Sequence, residues 1–248
     1  ARFETLHLLG SHDGAWDFIA PLLAERGEQR LRVLSDIGVS LYTRGRVEAA
    51  KAIFSQLHEF SPQTERFSIN LGFILTGDGE LQEAENHLLQ GLATDPESEM
   101  RPLTLADLGY LHLIQRELPR ANAAFEEALS LTEQESEGIL RIAYWRNGDV
   151  QPDDIRHPSA FIPLRSGILA NQVTLKLAQG DSTGAAVLAK QLVADYPELA
   201  AAYMVCGWFE HTVGQNDAAH RMWAEALARS NDEQQQQVIA AWLHQLAG

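Results

Sequence analysis

The chain has 248 residues, 45% of them hydrophobic and 21% charged, and it lacks the ~18-residue apolar run that a membrane span requires. Its net charge of −15 makes nucleic acid an unfavourable partner and favours a basic or apolar protein or peptide. The single cysteine, Cys206, excludes an internal disulfide framework and a zinc cluster of thiolates.

Residues 1–30 are predicted to form most of one helical hairpin, with a turn at residues 10–14. Pro21 falls inside its second helix and predicts a kink or a later helix start. The chain begins at Ala1, without a methionine or a charged, apolar leader. We therefore expect a processed product or a fragment, and a cytoplasmic location if no leader has been removed.

The next two segments, residues 31–64 and 65–98, carry the same pattern 34 residues apart. Three pairs mark the period: Gly38 and Gly72, Ala50 and Ala84, Pro62 and Pro96. In each copy the apolar residues follow helical spacing in two runs, separated by turns at residues 43–45 and 76–79. Each copy is therefore predicted to be a hairpin of a helix A and a helix B. A glycine inside helix A predicts a close helix contact, so Gly72→Leu should destabilise the array.

Further copies continue the pattern toward the C-terminus. Residues 102–135 form a third clean unit, and residues 166–199 and 200–233 form two later ones. Between them, the unit at 136–165 is degenerate because its second half, 149–163, has prolines and no apolar helical face. We expect an irregular loop or short helix there, either functional or a decayed repeat. Residues 234–247 are predicted to form a capping helix, with Asp232 as its N-cap.

The units resemble the tetratricopeptide repeat, whose pattern is W-x2-L-G-x2-Y, A-x3-F, P. The first clean unit carries it as Leu34-x2-Ile37-Gly38-x2-Leu41, Ala50-x3-Phe54, Pro62. The resemblance implies an all-α, right-handed α-solenoid of about six helix-turn-helix units, one of them degenerate, with a C-terminal capping helix. Residues 1–248 would then form a single solenoid domain.

The resemblance also implies that the A helices line a concave groove that binds a peptide segment or partner protein. The predicted groove residues are Arg32, Asp36, Tyr42, Arg66, Asn70, Phe73, Asp107, Tyr110, Trp145, Asn171 and Trp208. Asn70 and Asn171 occupy the position from which such repeats often hold an extended peptide. The clamp for chaperone C-terminal tails requires Lys and Asn in one unit and basic residues in another. The corresponding positions hold Ser35, Val39, Leu103 and Asp107, so binding of an acidic tail is not expected.

Two segments resemble catalytic or metal-binding motifs. The sequence G-D-S-T-G at residues 180–184 matches a nucleophile elbow, but it falls at a predicted turn between two helices, where small polar residues are expected. His157 could join Asp153 and Asp154 in a metal or acid–base cluster only if the loop brought them together. We therefore expect a non-enzymatic interaction module without a cofactor or metal. The alternative is a regulatory or sensor solenoid excised from a larger signalling or effector enzyme.

Overall fold

The computed structural model describes residues 28–43, 45–132, 163–231 and 233–247. Eleven α-helices and no strand occupy these ranges. The helices are α1 Glu28–Thr43, α2 Val47–Phe60, α3 Glu65–Asp78, α4 Leu81–Thr94, α5 Arg101–Ile114, α6 Leu118–Leu131, α7 Leu164–Ala178, α8 Ser182–Asp195, α9 Ala200–Thr212, α10 Asn216–Arg229 and α11 Glu233–Ala247. The predicted all-α repeat fold is confirmed.

Several predictions lie outside the described residues. These are the hairpin of residues 1–30 apart from the start of α1, nearly all of the degenerate unit at 136–165, and the N-cap Asp232. The groove residue Trp145 and the cluster of His157 with Asp153 and Asp154 also lie outside them.

Consecutive helices pack as hairpins, with α1, α3, α5, α7 and α9 as A helices and α2, α4, α6, α8 and α10 as B helices. The B helices α2 and α4 end at Phe60 and Thr94, each two residues before a proline. Proline commonly follows the end of a helix because it cannot continue one. The final helix, α11, packs on α10 as the predicted cap.

The turn between α3 and α4 is shorter than predicted. The helix continues through Gly77 and Asp78, and only Gly79 leaves it, at φ +82°. The Gly79 N–H donates to the carbonyl oxygens of Leu75 and Thr76. The left-handed residue thus supplies a hydrogen-bond donor to two carbonyl groups at the end of the helix. The predicted turn at 76–79 is therefore wrong for its first three residues, which form the end of α3.

The described helices belong to two compact units, unit 1 up to Pro96 and unit 2 from Glu97 onward. In unit 1, Phe54, Phe67 and Leu88 are fully buried. Lys51 on α2 also forms ion pairs with Asp78, at 2.7 Å, and with Glu80. These ion pairs connect the first hairpin to the turn between α3 and α4.

In unit 2 the A helices form a row, in which α5 contacts α7 and α7 contacts α9. Phe125 and Trp223, from the B helices, are buried beneath this row. None of the helices in the described ranges is both long and apolar enough to cross a bilayer.

Candidate functional site

In unit 2, two aromatic side chains project from equivalent positions of the A helices. Tyr110 on α5 and Trp208 on α9 are each the ninth residue of a repeat copy, and they are 36% and 37% exposed. Thr174 is the ninth residue of the copy between them, on α7, and is half-buried. Because equivalent positions of neighbouring A helices share one side of the row, we call this side the A-helix face of unit 2.

The packing of the B helices explains why these rings are exposed. Gly109, next to Tyr110, lies so close to Phe125 of α6 that an added Cβ would be 2.5 Å from its ring. Gly207, next to Trp208, lies under Trp223 of α10 in the same way. Neighbouring residues are turned about 100° around an α-helix. The glycine therefore faces the B helix, and the aromatic residue that follows it does not.

Asn171 on α7 lies near Thr174 and is half-buried. Its Nδ2 is withdrawn from water and has no hydrogen-bond partner within the part of the chain that the structure describes. A buried amide donor without an acceptor is unfavourable. Asp107 on α5, predicted for the same surface, is instead only 2% exposed.

In unit 1 the predicted residues are less exposed. Tyr42 of α1 and Phe73 of α3 contact each other edge to face, with ring centroids 5.4 Å apart. Phe73 therefore partly bridges two A helices, and both rings are half-buried. Asn70 is fully buried, although it holds the same repeat position as Asn171. The remaining predicted residues of unit 1, all half-buried, are Arg32, Asp36 and Arg66.

The segment that resembles a nucleophile elbow is a helix start. It follows the helix α7 and not a strand, and Asp181 is the N-cap of α8, where its Oδ1 accepts a hydrogen bond of 2.8 Å from the Gly184 N–H. Ser182 is the first residue of α8 and directly follows the turn that joins α7 to α8. The predicted turn is confirmed only for Gly180 and Asp181, because residues 182–184 belong to α8, and the strained strand-to-helix geometry of the elbow is not present here.

Cys206 is buried beside Gly207, as expected for a small apolar residue of the core. Burial raises the pKa of its thiol to about 11, and the nearby charge of Glu210 acts in the same direction. The thiol is therefore protonated at neutral pH, which makes it a poor nucleophile and a poor metal ligand. Among the described residues, no group of three or more His, Cys, Asp or Glu side chains is arranged to hold a metal ion.

One contact between two histidine rings was not predicted from the sequence. His58 of α2 and His87 of α4 meet edge to face with ring centroids 4.7 Å apart. They stand at the twenty-eighth and twenty-third positions of their copies, so the 34-residue period does not align them. The only signal available was the presence of one histidine in each of two neighbouring B helices.

Comparisons with known proteins support the fold. No protein-family model matches the chain, and no curated protein matches it. The solved structure of PilW, a widely conserved type IV pilus biogenesis factor, is similar with a TM-score of 0.61 and 16% identity, over 96% of this chain and 94% of that one. A thermophilic tetratricopeptide-repeat protein of Thermus thermophilus gives a TM-score of 0.59 at 19% identity, over 88% and 100% of the two chains.

A third similar structure is the APC/C hetero-tetramer Cut9–Hcn1, with a TM-score of 0.59, 17% identity, and coverage of 98% of this chain and 42% of that chain. At these identities the likeness concerns the fold. The described helices have the tetratricopeptide-repeat fold.

Proposed function

We propose that the chain is a protein–protein interaction module that binds a peptide segment or partner protein along its A helices. The observation that carries the proposal is the exposure of Tyr110 and Trp208 at equivalent positions of the A-helix face of unit 2. Tyrosine and tryptophan are enriched among the residues that dominate binding energy, because each adds a large contact area for few rotatable bonds. Two such rings in one row suit a partner that extends across several A helices.

Asn171 supports the same proposal through hydrogen bonding. Its copy lies between those of Tyr110 and Trp208, and its Nδ2 lacks an acceptor within the described residues. If the half-buried side chain turned outward, a backbone carbonyl of an extended peptide would provide that acceptor. The aromatic residues would then supply affinity, and the amide would fix the position of the peptide backbone.

The comparisons support a protein-interaction role in general. One similar chain belongs to the hetero-tetramer Cut9–Hcn1, and another is a pilus biogenesis factor. With a net charge of −15, this chain favours a partner segment that is basic or apolar.

The proposal is tested by selecting peptides from a displayed random library on the whole chain. The selected peptides are then measured against the double variant Tyr110→Ala with Trp208→Ala. Each ring, as a central anchor, supplies about 2 kcal/mol or more, so we expect at least a hundredfold loss of affinity. Since both rings are more than a third exposed, we expect the double variant to remain folded, which its thermal unfolding checks.

Phe60→Ala provides the matched control. Phe60 is 47% exposed and aromatic, but it ends the B helix α2. We expect the selected peptides to bind this variant as they bind the original chain. Equal loss of affinity in the control, or full affinity in the double variant, would contradict a site on the A-helix face of unit 2.

A further inference from the structure

A direct contact between two histidines joins the B helices of unit 1. The rings of His58, on α2, and His87, on α4, meet nearly at right angles, at 87°, with centroids 4.7 Å apart. We call these two residues the histidine pair. An edge-to-face contact of this kind is favourable between neutral rings, since the edge of one ring is directed at the face of the other.

Except for the Glu83 carboxylate, the polar neighbours of the pair suit neutral imidazoles. His58 Nδ1 lies 3.2 Å from the Ser68 Oγ of α3, and either atom can donate. His87 Nε2 lies 3.9 Å from Glu83 Oε1, one turn earlier on α4. His87 Nδ1 is buried and has no hydrogen-bond partner within the described ranges. A protonated ring carries an N–H on both nitrogens, so protonation of His87 would bury a donor without an acceptor.

The carboxylates that act on the histidine pair belong to exposed residues. Glu59 of α2 acts on His58, and Glu83 of α4 acts on His87, in both cases raising the pKa of the imidazole. From α3 the pair meets the Ser68 hydroxyl, and Glu65 stands one turn earlier on that helix. Burial is the larger effect and lowers the pKa of both histidines below the ordinary value of 6.5. For His87, a positive charge on the neighbouring His58 lowers it further.

We propose that the histidine pair is a proton-sensitive joint between α2 and α4, which holds the two helices together while both rings are neutral and loosens on acidification. Protonation of one ring would add a positive charge to the ring contact. Protonation of the second ring would place two like charges in contact. The device acts on the repeat packing of unit 1 and does not depend on the proposed partner site in unit 2.

The pH range follows from the direction of the pKa changes. The unfolded chain binds protons at these histidines as the pH falls through about 6.5, whereas the folded chain resists them. The stability supplied by the pair is therefore complete above that value. This stability declines as the pH falls below about 6.5, until the pH reaches the pKa of the two rings in the folded chain. Each unit of difference between folded and unfolded pKa lowers the protection of α2 and α4 about tenfold.

The test combines two measurements on the whole chain. NMR titration of the ring protons should give pKa values below 6.5 for both histidines. Hydrogen exchange, corrected for intrinsic rates, should show α2 and α4 losing protection on acidification. In His87→Phe a ring contact is kept and one of the two titrating groups is removed, so this loss should be smaller. The control His220→Phe changes an exposed histidine of unit 2 and should behave as the original chain.

The proposal is overturned if both rings titrate at or above the ordinary value. It is also overturned if His87→Phe and the original chain lose protection equally as the pH falls. The ring titration is made on the unchanged chain, so it decides the matter even if the phenylalanine variant does not fold.

Discussion

One contact between helices A and B matches a small residue with a large one in every described hairpin. In four hairpins a glycine of helix A lies beneath a large side chain of helix B. The pairs are Gly38 with Phe54, Gly72 with Leu88, Gly109 with Phe125, and Gly207 with Trp223. In the hairpin of α7 and α8 the sizes are reversed, since Val173 stands at the glycine position and Ala189 at the large one. Interiors are close-packed, so the sum of the two volumes matters more than either residue.

This contact was partly predictable from the sequence. A glycine inside a predicted helix implied a close neighbour, and the structure confirms it at Gly38 and Gly72. The identity of the opposing residue was not predicted, because the pairing across the hairpin depends on how the two helices are rotated. Val173 departs from the glycine pattern, and the small Ala189 in the same buried cluster offsets its larger volume.

At the residue scale, we expect Gly72→Leu to destabilise unit 1 by about 3 kcal/mol, as overpacking of a filled core does. An added Cβ would lie 2.7 Å from Leu88 Cγ and 3.1 Å from the carbonyl oxygen of Ala84, and the backbone atom cannot move aside easily. Urea unfolding of the variant and the original chain measures the difference.

Gly77→Leu is the matched control for that substitution. Gly77 lies in the same helix, and nothing stands within 4 Å of its added Cβ. Leucine is the better helix former by up to about 1 kcal/mol, so the urea midpoint should stay the same or rise. Equal loss of stability in both variants would mean that the close contact at Gly72 is not the cause.

At the scale of the elements, the turn between helices A and B uses one left-handed residue at a fixed place. The fifteenth residue of each described copy has positive φ, and in four copies it is glycine. These four are Gly45, Gly79, Gly180 and Gly214. In the third hairpin the same position holds Arg116, at φ 61°. For a residue with a Cβ, this conformation costs roughly 1 kcal/mol or more of conformational free energy. The turn between α5 and α6 is therefore locally strained.

We therefore expect Arg116→Gly to stabilise unit 2 by about 0.5–1 kcal/mol. Glycine removes the steric cost of positive φ, and part of the gain is offset by the greater freedom of glycine in the unfolded chain. The reverse substitution, Gly214→Arg, should cost a similar amount at the equivalent turn. Thermal unfolding of both variants measures the effects. A loss of stability in Arg116→Gly would show that the arginine side chain contributes more than its backbone costs.

The helices themselves were predictable because their apolar residues recur at helical spacing and their ends carry glycine and proline. The exposure of individual side chains on the A helices was not predictable from the sequence. Asn70 and Asn171 hold the same position in their copies, yet Asn70 is fully buried and Asn171 is half-buried. The period gives the direction in which a side chain leaves its helix. The depth of burial depends on what the neighbouring elements place over it, and that differs between copies.

At the scale of the whole molecule, the excess of acidic residues bears on the class of partner. The chain has 34 aspartates and glutamates against 19 lysines and arginines. Such an excess creates a field that attracts positively charged segments and speeds their encounter. The exposed Tyr110 and Trp208 would bind aliphatic or aromatic side chains equally well without any charge. Both basic and apolar partners therefore suit the molecule, and their dependence on salt distinguishes them.

We expect the peptides selected on this chain to combine apolar residues with lysine or arginine, and their association rate to fall as salt is added. Between about 0.01 M and about 1 M salt the screening length decreases from about 30 Å to about 3 Å, which removes long-range attraction and leaves contact between apolar groups intact. Stopped-flow measurement of association over this range gives the dependence. A control peptide with glutamine in place of each lysine and arginine should associate more slowly at low salt and respond weakly to it. If the selected peptides associate at one rate throughout the range, charge does not guide them, and an apolar segment is the partner that fits the A-helix face of unit 2.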